Sequence, residues 1–325
     1  KRSVHQPKGE SLAIDLSDAF CDLFSVIAML VGGREVERFY SPHEAAHGNR
    51  RNNPPRGTRE EVNQTGIESA RRWVMDYLSV EEARDLSGLK LVLTGGVPGP
   101  WSEAAKALFN HHQVPFHPVL QVGGQSNDAL VAWTSHRNAP VAVWNDEAPR
   151  VRSMEILELA ERLGSGQSLI PEDRETRIRM VGLINEMAGE QGFAWHCRVI
   201  LLDAWASQND QAGQDANPMF KEYGYDAKTV EQSISTADSF LEGLASDLHQ
   251  SSEGYLVGEQ FSAADLYWAY FSNLLNPMPH DINPMPDRLR QSYELPAKRL
   301  QPYDPIVVEH RDRMFKRHLI LPLSF

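Results

Sequence analysis

Apolar residues recur along this chain with two different periods, and the change of period divides it. Leu12, Leu16, Phe20, Leu23, Ile27 and Leu30 stand three or four apart, the spacing that lays one stripe along a helix. Residues 49–59 are rich in Arg, Asn and Pro and read as an exposed loop. Thr58 with Glu61 has the form of a helix start, and Ile67, Ala70, Val74 and Leu78 continue at helical spacing. Ser79 with Glu82 can cap one further short turn. From Gly88 the apolar runs shorten. Leu89–Thr94, Pro115–Leu120 and Pro140–Trp144 each read as a buried strand. Helical stretches alternate with them at Ser102–His112, at a short segment ending near His136, and at Ser153–Leu163. Asn145-Asp146 marks a hairpin turn and Val151 a short return, giving the order β-α-β-α-β-β-α. The remainder is helical: Arg174–Ser207, bent or broken around Gly189–Gly192, then Ala227–His249, Ser262–Leu275 and Asp304–Leu319. Asn276–Arg290, with four prolines, reads as loop.

This pattern predicts a mostly helical N-terminal extension at 1–86, an α/β domain at 87–164 and an all-helical domain at 171–325. A chain of 325 residues is long enough to need more than one core. With 41% apolar and 23% charged residues it reads as packed rather than disordered. A net charge of −12 repels a phosphate backbone, which argues against nucleic acid as a partner. The longest apolar stretch, Ala19–Val31, is interrupted by Cys21, Asp22 and Ser25 and is too short to span a bilayer, so no membrane association is expected. The polar start, Lys1 to Glu10, lacks a secretory core, and the two cysteines, Cys21 and Cys197, form no CxxC. Both features fit a reducing, cytoplasmic setting. His111, His112 and His117 straddle a helix end and a strand on different faces, so no metal site is expected.

Four motifs in the second and third units carry a resemblance. They are Gly99-Pro100-Trp101-Ser102 between the first strand and helix, Ala139-Pro140-Val141 before the third strand, Arg152-Ser153 after the hairpin, and Phe261-Ser262-Ala263-Ala264-Asp265 in the helical part. Over roughly residues 88–322 the chain resembles the glutathione transferase superfamily; the extension has no counterpart in an ordinary member. The resemblance implies a thioredoxin-like α/β domain followed by an all-helical domain. It implies glutathione as co-substrate, a small-molecule electrophile as partner, and a homodimer. It places the catalytic segment at Gly99–Ser102 and a cis bond at Ala139–Pro140. The backbone of Ala139 would then pair with the cysteinyl part of the tripeptide, as an edge strand does. Ser153, opening a helix, would hold a carboxylate. Ser262 and Asp265 form a capping box that serves folding rather than chemistry.

The residues also carry plainer readings. Gly99 offers no side chain where family members place the thiol-activating group, so Ser102 is the remaining hydroxyl; it can donate to a bound thiol, or cap the helix, or both. Trp101 either walls an apolar pocket or packs under the helix. Arg152, where the family has Glu or Gln, either attracts a ligand carboxylate or lies on the solvated surface. Trp195 and Cys197 border the expected electrophile pocket, with Cys197 more simply a small buried hydrophobe. Two functions follow. One is an enzyme that conjugates or transfers glutathione to a small apolar electrophile. The other is a non-catalytic binding or interaction protein on the same fold, suggested by Gly99 and Arg152.

Overall fold

The computed structural model describes residues 75–207, 210–216 and 218–325. The stripe Leu12–Leu30, the Thr58 start and the rest of the expected extension as far as residue 74 lie outside the described residues. The first element is α1 (Val80–Ala83), closed by the expected box: the Glu82 N–H donates to Ser79 Oγ at 3.2 Å and the Ser79 N–H to Glu82 Oε2 at 2.8 Å. Leu78 is extended rather than helical, its N–H donating to Pro118 O at 2.9 Å and its carbonyl accepting from Leu120 N at 3.0 Å. Residues 78–83, expected in the extension, therefore pack on the α/β domain.

That domain holds a sheet of three strands among the described residues. They are β1 (Leu89–Thr94), β2 (Phe116–Gln121) and β3 (Val141–Trp144), in the order β2-β1-β3. β2 runs parallel to β1 and β3 antiparallel. Connecting them are α2 (Pro100–His111) and α3 (Asp128–Thr134), and α4 (Ser153–Leu163) follows β3. The return strand expected at Val151 is reduced to one bridge between Ala142 and Arg150, because α4 starts three residues after that bridge. Along β1 the period of two sends Leu89, Leu91 and Leu93 to the face covered by α2 and α4. Val92 joins Val80, Val119, Leu130, Val141 and Val143 on the other face. Lys90 lies almost fully buried, its ammonium bonded to the carbonyls of Leu86 and Asn145. Burial pushes its pKa down.

The helical part comprises α5 (Arg174–Ala188), α6 (Phe193–Ala206), α7 (Gln211–Ala216), α8 (Pro218–Glu222), α9 (Val230–Gln250), α10 (Ala263–Phe271), α11 (Asp287–Glu294) and α12 (Ile306–His318). α5 and α6 are separated at the glycines anticipated from sequence; a Cβ on Gly192 would stand 2.6 Å from the Glu186 carbonyl. α11 lies where a loop was expected. The four prolines all precede it, and Leu289 and Tyr293 put an apolar edge on the core. Every residue of α10 is buried, as a helix apolar on all sides must be. One core runs from Leu89, Leu91 and Leu93 through α2 to α10 and α12, so the α/β domain and the helical domain share it. Among the described residues no helix is long and apolar enough to cross a membrane.

Candidate functional site

Pro100 sets the start of α2: it fixes φ and lacks the N–H that a first helical residue cannot use. Gly99 is the N-cap, with φ −61° and ψ 122°, a conformation open to any residue. Its carbonyl accepts from Glu103 N at 2.9 Å and its own N–H donates to Val97 O at 2.8 Å. The N–H groups of Trp101 and Ser102 then have no intrahelical acceptor. Among the described residues, a Cβ built on Gly99 meets no atom within 4 Å apart from its own chain neighbours, so the space before this helix is open there.

One expectation for this segment is corrected, and one open pair of readings is narrowed. Ser102 neither caps the helix nor presents a hydroxyl outward. It is 3% exposed, and its Oγ accepts from Thr94 N at 3.3 Å, tying α2 to the end of β1. Trp101 does not line a pocket either. Its indole donates to Ala188 O at 2.9 Å and its ring stands edge-on to Phe271, 5.1 Å between centroids. It is a peg joining the two domains. Ser102→Ala should therefore lose only about 1 kcal/mol, one internal hydrogen bond's worth, measured by urea unfolding. A loss beyond about 3 kcal/mol would show the hydroxyl to matter more than one bond.

Ala139–Pro140 is cis and both residues are half-buried. Ser153 opens α4, and among the described residues its Oγ carries no hydrogen bond, while its carbonyl accepts from Tyr267 at 3.4 Å. A protein carboxylate is already present at this helix start: Glu155 accepts from the N–H groups of Val151 at 3.2 Å and Arg152 at 3.3 Å. The Arg152 side chain is 83% exposed and 3.8 Å from Glu155, which fits the solvated-surface reading.

On α6, Trp195 is half-buried and its ring lies 4.9 Å from that of Tyr223. Cys197, expected at the pocket, is instead 1% exposed within the core, and burial pushes its thiol up to about 12, so it is no nucleophile. The sequence reading missed Arg198, whose guanidinium lies over the Tyr293 ring, 5.6 Å from its centre. Tyr293, buried, donates in turn to Pro98 O at 3.2 Å. On the other side Glu222 of α8 pairs with Arg137, two residues before Ala139. Contacts thus link Pro98 to Tyr293 and Arg198, Trp195 to Tyr223, and Glu222 to Arg137. They join the helical domain to the two segments of the α/β domain that carry Gly99 and Ala139. A cue existed in sequence: Arg198 is the one basic residue besides His196 in the apolar run Phe193–Ala206.

The three histidines go separate ways. His111 bonds Gln167 O at 2.9 Å, His117 bonds Ser87 O at 3.2 Å, and buried His112 lies 3.2 Å from Glu161. Among the described residues no group of three or more His, Cys, Asp or Glu could hold a metal ion.

No protein-family model and no curated protein matches the sequence. Among solved structures, the chain is similar to a glutathione S-transferase from Methylobacterium radiotolerans in complex with glutathione sulfonate. The identity is 16%, over 70% of this chain and 91% of that one, with a TM-score of 0.49. It is also similar to a glutathione S-transferase from Methylobacillus flagellatus with glutathione bound: 16% identity, 70% and 95% covered, TM-score 0.49. A glutathione transferase family member from Pseudomonas fluorescens with two glutathione bound is 14% identical, with 71% and 89% covered and a TM-score of 0.49. Likenesses of this extent carry no residue's role across.

Proposed function

We propose that the protein is a transferase of glutathione-transferase type, which holds glutathione on the α/β domain and directs its thiolate at a small apolar electrophile against the helical domain. The observation that carries this reading is the open space at Gly99 before α2, beside two N–H groups that lack intrahelical acceptors. A thiolate there gains the stabilisation any anion gains at a helix N-terminus, without a side-chain hydroxyl. The backbone of Ala139 beside Pro140 and the hydroxyl of Ser153 receive the rest of the tripeptide, with Arg152 at its solvent edge. Trp195 stands on the electrophile's side. The protein works in the cytoplasm as a homodimer, with glutathione as co-substrate and no metal.

The absent side chain at 99 and the inward Ser102 favour a second reading, a protein that binds on this fold without turnover. One pair of measurements separates them. Calorimetry should give glutathione affinity in the wild type. Gly99→Ser, whose side chain meets open space, should then raise conjugation of a generic aryl halide by roughly 10²-fold, the new hydroxyl donating to the thiolate as the halide leaves. Its melting temperature should stay within a degree or two of wild type, since Gly and Ser differ at an N-cap by only a few tenths of a kcal/mol. Affinity with no turnover in either protein would establish the second reading, and no affinity would defeat both.

A further inference from the structure

The helical side of the proposed cleft carries a cation that no carboxylate among the described residues neutralises. Arg198 projects from α6 one turn beyond Trp195, on the same face. Its guanidinium stands over the Tyr293 ring, 5.6 Å from the centroid. No carboxylate among the described residues lies within 4.0 Å of it. Three carboxylates brought by adjoining elements are engaged elsewhere. Glu222 pairs with Arg137, Glu103 with Lys106 at 2.7 Å, and Asp203 with Arg299 at 3.1 Å and with Tyr225 at 2.8 Å. Arg198 is half-buried, and withdrawing part of a guanidinium from water without a counter-ion is costly. An arginine kept in such a place is matched by something that arrives with a negative charge, and its planar fork suits a carboxylate.

We infer that Arg198 is a specificity residue for an aromatic electrophile that carries a carboxylate. The inference rests on the proposed transferase reading and narrows its substrate class. The ring of such a compound lies along Trp195 and Tyr223, and its carboxylate takes the guanidinium edge left by Tyr293. Tyr293 holds the arginine in place through its own bond to Pro98, next to Gly99. The charged end of the ligand is thereby fixed near the segment where the thiolate would form. Conjugation itself is an ordinary aromatic substitution: the sulfur–carbon bond forms, the carbon–halogen bond breaks, and halide leaves with its electron pair.

The test uses the full chain and two matched compounds, 4-chloro-3,5-dinitrobenzoate and its neutral parent 2-chloro-1,3-dinitrobenzene. Calorimetry without glutathione measures binding alone, and steady-state kinetics with glutathione measures turnover. Wild type should bind the benzoate at least tenfold more tightly than the neutral compound. Arg198→Met should abolish that preference while leaving affinity for the neutral compound unchanged, and Arg198→Lys should restore part of it. The Met variant should also melt no lower than wild type, because an uncompensated cation has been replaced by an apolar chain of similar length. Equal losses for both compounds, or a wild type without preference for the benzoate, would overturn the inference. A lower melting temperature in Arg198→Met with the preference intact would also overturn it, making Arg198 a purely structural residue. Preference for the benzoate in a protein that has no affinity for glutathione would uphold the anion site and defeat the transferase reading.

Discussion

Asp265→Ala should cost the protein about 3–5 kcal/mol, the loss expected when one member of a buried charged network is removed. Asp265 is fully buried at the start of α10. One of its oxygens accepts from the Ser262 N–H at 2.9 Å and from the Ser262 hydroxyl at 2.8 Å. The other accepts from Leu256 N at 2.8 Å and stands 2.9 Å from Nε2 of His310 on α12. Alanine would leave two backbone donors, a hydroxyl and an imidazole without partners in a dry interior. His310 is itself fully buried and its second ring nitrogen has no partner among the described residues. Against a total stability of typically about 5–15 kcal/mol, such a loss brings a domain close to unfolding. Ser262→Ala is the milder comparison, about 0.5–2 kcal/mol, because the carboxylate stays and only the hydroxyl goes. Urea unfolding of both variants at neutral pH measures the difference. A loss below about 1 kcal/mol for Asp265→Ala would mean that water replaces the missing acceptor, and that this end of α10 is not dry.

The Ser262–Asp265 box was legible because it is local: two polar residues three apart just before an apolar run allow only one arrangement at a helix start. The same holds for the alternation of Leu89, Leu91 and Leu93, for the start of α4 at Ser153 and for the break between α5 and α6. The candidate site was harder to read, since its geometry depends on which way a helix is turned. Ser102 is three residues from Gly99, and counting along the chain does not say that its hydroxyl faces Thr94. The sequence left Trp101 open between pocket wall and packing under the helix, because its acceptor, the Ala188 carbonyl, is 87 residues away. Glu155 was missed as the acceptor at the start of α4 because the N-cap is Arg152 rather than Ser or Thr. α11 was hidden by proline density, although a proline next to a first turn that holds Asp287 is a start signal in itself. Arg198 stood in plain view as a charge within an apolar run, but that no carboxylate among the described residues lies within 4.0 Å of it shows only when α6, α8 and α11 are brought together.

The buried pair Glu103–Lys106 on α2 gives the second large expectation: Lys106→Met should cost about 3–5 kcal/mol, and Glu103→Leu added to it should restore most of the loss. Glu103 is 3% exposed and Lys106 6%, with 2.7 Å between ammonium and carboxylate. Lys106 also donates to the Ser324 carbonyl, fastening the segment after α12 against α2. The second oxygen of Glu103 has no partner among the described residues, so the lysine is what makes the charge tolerable there. Burial raises the Glu103 pKa, and the nearby lysine opposes that rise. A carboxyl whose folded pKa lies above its unfolded value binds more protons in the folded state. Its contribution to stability is therefore present at pH below the unfolded value and is lost as pH climbs through the folded one. Removing Lys106 removes the opposing charge and lifts the folded value further, so the variant should lose most at neutral pH and recover toward wild type on acidification. Urea unfolding at pH 5 and pH 7.5 reads this directly as a gap that narrows in acid. Raising salt should not imitate the mutation, because a pair so far from solvent is screened little. A gap of equal size at both pH values would show that the lysine matters through its stem packing and its bond to Ser324 rather than through its charge on Glu103. In the double variant the carboxyl is absent, so its stability should follow pH less steeply than that of Lys106→Met. That difference in slope separates the electrostatic cost of Glu103 from the packing cost of Lys106.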